Sequence, residues 1–352
     1  MKKIFIPFKS YNGNVGGPIT FMKNLKVEFD KSGVEYQSKP WFAKCMFFPM
    51  SSSQHSIRFV KAFGGKIIQR LDGVYYPSKN PENYKNANRG MQHVYSKYSD
   101  YVIFQSEYSK KQVFEMFGSL EKGKYSLICN GANQNIFYPI ECKGIHKKVR
   151  FITTGSFRNK DMIDPVIKAL DLLEEKGYDF ELNLLGPIKV ENKESILAKK
   201  YVVNSQSKDQ HIIAEALRNS DVFIYSHLNP PCPNSVIEAV SCGLPVVGFD
   251  SGAMTEICHF NKELFAYVSE DVFQVYEDFD YKKLAEKLEL SIGNFDLYKA
   301  NALDHSKDYS MEKCAKQYAL VLNSIQTEKF NIILFIKAVF LYLLFKLGVK
   351  NA

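Results

Sequence analysis

The sequence predicts an α/β fold of two domains, each built on a parallel β-sheet. The chain has 352 residues, which exceeds one ordinary hydrophobic core and suits two domains of about 150 residues each. Its apolar content of 45% supplies enough material for two cores. The stretch 222–256 has the pattern strand, loop, helix, strand and loop, which is typical of a parallel sheet.

The segment YSHLNPPCPNSVIEAVSCGLPVVGFDSGAMTE, residues 225–256, is the centre of this prediction. We expect two strands around one helix, at 222–226, 244–249 and 235–242. Ser235 and Glu238 have the S-x-x-E spacing of a capping box. In a parallel sheet the loops after the strands and the helix N-terminus open on one edge. Backbone N–H groups and the helix dipole favour a phosphate there.

The part NSVIEAVSCGLPVVGFDSGAMTEI resembles the donor-nucleotide site of the retaining glycosyltransferases with the GT-B fold, in particular glycosyltransferase family 4. The resemblance implies two facing Rossmann-like domains and a nucleotide diphosphate sugar as donor, with no metal or other cofactor. It implies that Glu238 holds the ribose hydroxyls. It also implies that the diphosphate and sugar face the chain at Cys232, Asn234, Ser235, Val236 and Gly252.

One position departs from the pattern of this family. The family usually has another glutamate eight positions before the one that corresponds to Glu238, and that position here is Pro230. His227 and Asn229 are polar neighbours that would take over its sugar contacts. The structural alternative is that Ser235 and Glu238 only cap a helix. The long match favours a nucleotide site.

The N-terminal half predicts the other sheet. A strand at 3–8 leads into the loop SYNGNVGGP and a helix. Gly16 and Gly17 let the backbone approach a ligand closely, and the resemblance places this loop across the cleft from the donor. A tight turn is the alternative interpretation.

A second strand at 66–71 ends at Asp72, on the edge of the N-terminal sheet that would face the cleft. Arg70 and Asp72 are therefore candidates for gripping acceptor hydroxyls, and Asp72 is assigned to catalysis. An ordinary Asp-Gly turn is the alternative. The later segment 124–139 resembles the end of the family's N-terminal domain, where Asn130 would line the cleft.

The second domain opens with VRFITTGSFRNK, a strand followed by Gly155 and a basic loop. Arg158 and Lys160 would reach the carboxyl end of this strand, beside the diphosphate. They resemble the family's basic pair, which neutralises the leaving nucleotide, so both are assigned to catalysis and Gly155 to donor binding. A surface loop that happens to hold Arg and Lys is the alternative.

The C-terminal region predicts helices at 281–290 and 311–325, the second resembling the GT-B helix that crosses back to the N-terminal domain. Residues 332–345 are apolar apart from Lys337, and as a helix they extend about 21 Å, short of a hydrocarbon core of about 30 Å. We expect interfacial insertion, with Lys337, Lys346 and Lys350 meeting acidic headgroups. Dimerisation through this helix is the alternative.

The predicted domains follow from these elements. They are an acceptor domain at 1–146, a nucleotide-sugar domain at 147–307, a crossing helix at 308–327 and a membrane-associating hydrophobic tail helix at 328–352.

Composition limits the class of protein. A formal net charge of +8 with mixed signs favours a membrane surface or phosphate ligands, and the sequence holds no nucleic-acid-binding motif. Seven cysteines without a C-x-x-C pair suggest neither a disulfide framework nor a zinc site, which fits a reducing cytosol. The start MKKIFIPFKS is too short in apolar residues for a signal peptide.

Together with the family resemblance, which implies retention of the anomeric configuration, the sequence thus predicts a glycosyltransferase on the cytoplasmic face of the membrane. It would move a sugar from a nucleotide diphosphate sugar to a hydroxyl of a saccharide acceptor, lipid-linked, in cell-surface polysaccharide synthesis. Two alternatives stay open. One is another GT-B enzyme such as a nucleotide-sugar epimerase, and the other is a non-catalytic relative that binds a nucleotide or saccharide.

Overall fold

Two six-stranded sheets organise the chain, and all neighbouring strands in each sheet run parallel. The predicted α/β class is therefore confirmed. The structure is a computed structural model that describes residues 3–8, 17–78, 80–121, 123–140, 144–275 and 280–347. Contacts divide the chain into unit 1, residues 1–129 and 311–352, and unit 2, residues 130–310. The sequence had placed domain boundaries after 146 and 307.

Unit 1 begins with six strands in the order β2-β1-β3-β4-β5-β6. Strands β1 to β6 are Ile4–Phe5, Tyr36–Gln37, Cys45–Pro49, Lys66–Leu71, Tyr101–Phe104 and Tyr125–Leu127. Helices α1 to α4 are Gly17–Lys31, Gln54–Ala62, Tyr84–Lys97 and Glu107–Phe117. The central strands are almost entirely buried, as expected for a parallel sheet covered on both faces.

Unit 2 has the strand order β12-β11-β10-β7-β8-β9. Strands β7 to β12 are Val149–Thr154, Phe180–Leu185, Val202–Ser205, Val222–Tyr225, Val246–Asp250 and Phe265–Tyr267. Helices α5 to α11 are Asp164–Glu175, Lys193–Leu197, Gln210–Arg218, Asn234–Ser241, Met254–Ile257, Tyr281–Gly293 and Phe295–Asp304, and 3₁₀ turns lie at Lys160–Met162 and His259–Leu264.

The strand order of unit 2 reverses between β7 and β10. From β7 the chain moves outward through β8 and β9, and it then returns to the other side of β7 to form β10, β11 and β12. In open parallel sheets, ligands bind beyond the carboxyl ends of the strands at such a reversal. The loops that follow β7 and β10 are therefore the expected position of a ligand-binding site.

The last two helices belong to unit 1. They are α12, Met311–Ser324, and α13, Ile332–Lys346. Helix α12 packs against α1, where the fully buried Tyr318 lies 5.4 Å from Phe21 and 5.3 Å from Phe47 between ring centroids. Helix α13 packs against α2. Within the part of the chain that the structure describes, no helix is long and apolar enough to cross a membrane.

Candidate active site

The loop that joins β10 to α8 is held by buried hydrogen bonds. The Ser226 hydroxyl donates to the Met162 carbonyl at 2.7 Å, which ties this loop to the 3₁₀ turn after β7. The Asn229 backbone N–H donates to Ser251 Oγ at 2.7 Å. The Asn229 amide also pairs with the backbone of Gln274, at 2.8 Å through Nδ2 and 2.9 Å through Oδ1. Asn229 thus stabilises the loop, and its amide is occupied rather than free for the predicted sugar contact.

Helix α8 begins without a capping side chain. It starts at Asn234 with Pro233 at the N-cap position, and no side-chain hydrogen bond caps it. The predicted capping box of Ser235 and Glu238 is wrong, because the helix begins one residue earlier and Ser235 lies inside its first turn. The proline φ of −75° already suits the approach to a helix. No side chain accepts from the first-turn N–H groups, and the Val236 N–H donates to the Pro233 carbonyl at 3.2 Å.

Glu238 lies one turn further along α8. The residue is partly exposed to solvent. The surrounding protein nevertheless desolvates its carboxyl group and raises the pKa of that group to about 8. Among the residues that the structure describes, its carboxyl group has no hydrogen-bond or ion-pair partner. A poorly solvated carboxyl group without a partner would be stabilised by a ligand that offers hydroxyl donors.

Asn130 fixes the start of this helix. It is only 5% exposed, and its Nδ2 donates to Asn234 Oδ1 at 2.8 Å. The family resemblance of segment 124–139 predicted Asn130 as a cleft residue. The structure places it in unit 2, in contact with Asn234, one of the residues predicted for donor binding.

The basic loop follows β7. Fully buried Phe157 anchors it by a parallel bridge to Ile188. Gly155 lies at the end of β7, where its carbonyl oxygen would be 1.8 Å from a Cβ on Gly186, so these two loops touch through backbone. Such an approach requires glycine at Gly186.

Both cations of this loop are exposed. Arg158 Nε donates to Ser156 Oγ at 3.4 Å, and Lys160 Nζ lies 3.2 Å from a carboxylate oxygen of the exposed Glu191. An exposed ion pair such as Lys160–Glu191 contributes about 0–1 kcal/mol, and the Arg158 contact is a long hydrogen bond to a neutral hydroxyl, so neither would hold a cation away from an anionic ligand.

The other predicted donor residues occupy neighbouring loops. Buried Cys232 lies just before α8, and buried Val236 lies in its first turn. Gly252 forms the turn after β11 with φ +63°. The residues predicted for donor binding in unit 2 therefore lie on the loops after β7, β10 and β11 or on α8. These three strands are neighbours in the sheet.

Unit 1 holds the remaining candidates. Asp72 follows β4, where its carboxylate pairs with Arg70 Nη1 at 2.8 Å, and Arg70 is only 1% exposed. The Arg70 guanidinium also lies 3.6 Å from the centre of the Phe21 ring. Burial raises the pKa of the Asp72 carboxyl, against the opposing effect of the Arg70 charge. Asp72 is thus engaged within unit 1, and its role toward an acceptor stays a prediction.

Gly17 is the first residue of α1, and Gly16 lies outside the described residues. Within the described ranges, no three His, Cys, Asp or Glu side chains are grouped so that they would hold a metal ion. The predicted independence from metal remains a prediction.

Comparisons with known proteins agree with this arrangement. Residues 148–289 match the family described as glycosyl transferases group 1. A probable sucrose-phosphate synthase of Thermosipho melanesiensis is 24% identical over 321 residues, covering 83% of this chain and 67% of that protein. Residues 148–289 thus match a glycosyltransferase family, and the chain has the GT-B fold. It spans about two thirds of the length of the curated relatives that it matches.

Two solved structures share the fold of this chain. WaaG, a glycosyltransferase involved in lipopolysaccharide biosynthesis, gives a TM-score of 0.61 at 12% identity, covering 92% of this chain and 100% of that one. A TarM variant from S. aureus, in complex with UDP and saccharide ligands, gives a TM-score of 0.59 at 15% identity, covering 86% and 59%. The GT-B fold expected from the sequence is therefore confirmed.

Proposed function

We propose that this glycosyltransferase moves a sugar from a nucleotide diphosphate sugar to a hydroxyl group of a saccharide acceptor, with retention of the anomeric configuration. The observation that carries the proposal is the convergence at the strand reversal of unit 2. An uncapped helix N-terminus, two exposed cations and an unpartnered carboxyl group all belong to loops and a helix at one sheet edge. These are the groups that a diphosphate and a ribose need.

In this proposal each donor residue has one task. The first-turn amides of α8, near Asn234, Ser235 and Val236, bind the diphosphate, together with the backbone at Gly155 and Gly252. Glu238 accepts hydrogen bonds from the ribose hydroxyls. This contact offsets the cost of its poor solvation. The bound UDP in the TarM structure makes a uridine nucleotide the first donor to test.

Arg158 and Lys160 act on the leaving group. As the bond between the sugar and the diphosphate breaks, negative charge grows on the phosphate oxygens. A cation beside them stabilises the transition state more than the bound donor. The donor needs no metal in this scheme, because the two side chains and the helix amides supply the positive charge.

We further propose that the acceptor is a lipid-linked saccharide and that the enzyme works peripherally at the inner face of the membrane, in cell-surface polysaccharide synthesis. The involvement of the WaaG neighbour in lipopolysaccharide biosynthesis supports this choice. Asp72, at the carboxyl end of β4, remains our candidate for the acceptor hydroxyl, and the loop at Gly16 and Gly17 for the far side of the donor.

The test is a panel of nucleotide diphosphate sugars, first by thermal shift and then by release of free nucleotide diphosphate with a saccharide acceptor present. A donor at 100 times its dissociation constant should stabilise the protein by about 2.7 kcal/mol. Glu238→Ala should weaken the binding of that donor by about 1–3 kcal/mol. An unchanged donor affinity in folded Glu238→Ala would contradict the ribose assignment. Tight binding without transfer or slow hydrolysis would leave a binding protein instead of an enzyme.

A further inference from the structure

Helix α13 is apolar on nearly every side but packs through one face only. The Phe335 ring lies 5.5 Å from Phe63, and the Tyr342 ring lies 5.7 Å from His55, between ring centroids. The helix therefore runs antiparallel along α2. Of its 15 residues only Ala338 is buried. Most of the apolar surface of this helix is left without a protein partner in the part of the chain that the structure describes.

The outward side of α13 is a continuous apolar stripe. It consists of Ile332, Ile336, Phe340, Leu343 and Leu347, spaced by four, four, three and four residues. At 3.6 residues per turn this spacing keeps all five on one face. Each of the five is more than half exposed. In a water-soluble helix this face would be polar.

A second exposed group packs on the same helix α2, next to the contact between Phe63 and α13. The loop between β2 and β3 presents Trp41 and Phe42, whose rings lie 4.4 Å from Phe59 and 4.4 Å from Phe63. Phe42 is 65% exposed and has a left-handed φ of +55°, which is costly for a bulky residue. Strain of this kind is typically maintained at functional positions. The same α2 helix thus supports both the loop aromatics and α13.

The charged side chains carried by α2 and α13 are all basic, and the carboxylates next to them, Asp100 and Glu328, are paired with Lys61 and Lys66. The sequence holds no Asp or Glu between Glu35 and Asp72, and none after Glu328. Arg58 on α2 and Lys337 and Lys346 on α13 have no carboxylate partner among the described residues. An apolar face with unneutralised cations beside it is complementary to an anionic bilayer.

We propose that Trp41, Phe42, Ile336, Phe340, Leu343 and Leu347 form one membrane-docking surface of unit 1, which lies in the headgroup region of an anionic bilayer. Helix α13 extends about 22 Å and lies along the interface instead of crossing it. A second copy of the chain is the competing occupant. It is less suitable, since two such surfaces bring together cations of the same sign.

This inference rests on the proposed function only where it explains access to a lipid-linked acceptor. It adds that the tail is not a separate anchor. A loop distant in sequence shares the contact with the membrane, and both are fixed to the same helix. The bilayer would therefore be bound by unit 1 itself.

The experiment uses Trp41, which is the only tryptophan in the chain. The full chain is mixed with phosphatidylcholine vesicles, with or without phosphatidylglycerol, and Trp41 fluorescence is measured with brominated lipid as a quencher. We expect quenching and co-sedimentation with the anionic vesicles and much weaker binding to the neutral ones. Phe340→Ser should lower the partition coefficient about tenfold. Lys337→Glu should lower it about fivefold or more.

Two matched variants serve as controls. Leu297→Ser removes an apolar side chain of equal exposure, 58% against 59% for Phe340, from unit 2, and Lys200→Glu reverses an exposed charge there. Both should bind vesicles as the wild type does. The proposal would be overturned if Phe340→Ser bound vesicles as well as wild type, or if binding were equal for anionic and neutral vesicles. It would also be overturned if light scattering showed a dimer and Trp41 fluorescence were not quenched by the vesicles.

Nucleotide affinity, measured by calorimetry on the same variants, separates the two proposals. If vesicles bind and no nucleotide does, the docking surface stands and the proposed function fails. If nucleotides bind and Trp41 is never quenched, the docking surface fails and the proposed function stands.

Discussion

Pro230 and Gly252 are in direct contact. A Cβ on Gly252 would lie 2.4 Å from both Cδ and the carbonyl oxygen of Pro230. That carbonyl accepts a hydrogen bond from the Ala253 N–H at 2.9 Å. The contact joins the loop after β10 to the turn after β11. At the position where the resembled family has a glutamate, this chain therefore has a residue that links two loops of the proposed donor site.

Gly252→Ala should destabilise the protein by about 2–4 kcal/mol. The change adds strain at φ +63° and an overlap with the Pro230 backbone, which cannot yield as a flexible side chain would. Denaturant unfolding measures the loss. Donor affinity, measured by calorimetry on the folded fraction, should also fall, since both loops would shift.

Gly177→Ala is the matched control for this change. Gly177 also has a left-handed φ, +84°, but nothing lies within 4 Å of its missing Cβ. Its stability should fall only by the backbone strain of the added Cβ, about 1 kcal/mol. Equal losses in the two variants would show that the Pro230 contact adds nothing.

Asn130→Ala should weaken donor binding indirectly, through the position of helix α8. The buried Asn130 amide donates to Asn234 Oδ1 at 2.8 Å, so its loss leaves the start of α8 less fixed. We expect about 1–3 kcal/mol of lost stability and a lower donor affinity by calorimetry. Asn130→Asp places an oxygen against that acceptor oxygen and should be at least as harmful. An Asn130→Ala protein that is destabilised but binds donor normally would confine Asn130 to a purely structural role.

Local pattern was enough to place most elements of unit 2. The predicted strand at 222–226 is one residue longer than β10, and the predicted helix at 235–242 differs from α8 by one residue at each end, because the apolar periods there are clear. The strand at 66–71 coincides with β4. The capping box failed, because S-x-x-E spacing does not reveal that Pro233 takes the N-cap.

What sequence reasoning missed depends on contacts between distant residues. Neither Asn130 meeting Asn234 nor Pro230 meeting Gly252 has a local signal. The tail was recognised as a separate apolar segment. Its position along α2 depends on Phe59 and Phe63, whose region shows no motif. That the exposed aromatic residues of the β2–β3 loop pack on the same helix could likewise not be predicted from the sequence.

The raised pKa of Glu238 should appear in the pH dependence of stability. Burial raises this pKa from 4.5 to about 8, so between these values the folded state keeps a proton that the unfolded chain releases. The stability contributed by this group is complete below the unfolded pKa and is lost as the pH rises to about 8. Glu238→Gln cannot ionise, so its melting temperature should fall less than that of wild type between about pH 5 and pH 8.

Thermal unfolding of both proteins across that range is the measurement. Glu263→Gln, which neutralises an exposed carboxylate of unit 2, should follow the wild-type curve. Parallel curves for wild type and Glu238→Gln would show that this carboxyl group is better solvated than its surroundings indicate.

Arg158→Ala and Lys160→Ala should lower turnover far more than they weaken donor binding. Both cations follow β7 at the strand reversal, and charge on the departing diphosphate grows only as the sugar bond breaks. Loss of such a group typically costs a factor of about 10²–10³ in rate. Glu191→Ala is the matched control, because it removes the ion-pair partner of Lys160 and leaves the cation in place. Its turnover should stay close to wild type, since the exposed pair is weak. Release of nucleotide diphosphate under saturating donor, with acceptor present, measures all three variants. If the two alanine variants raise only the KM for the donor, the basic pair is an anion clamp and takes no part in the transition state.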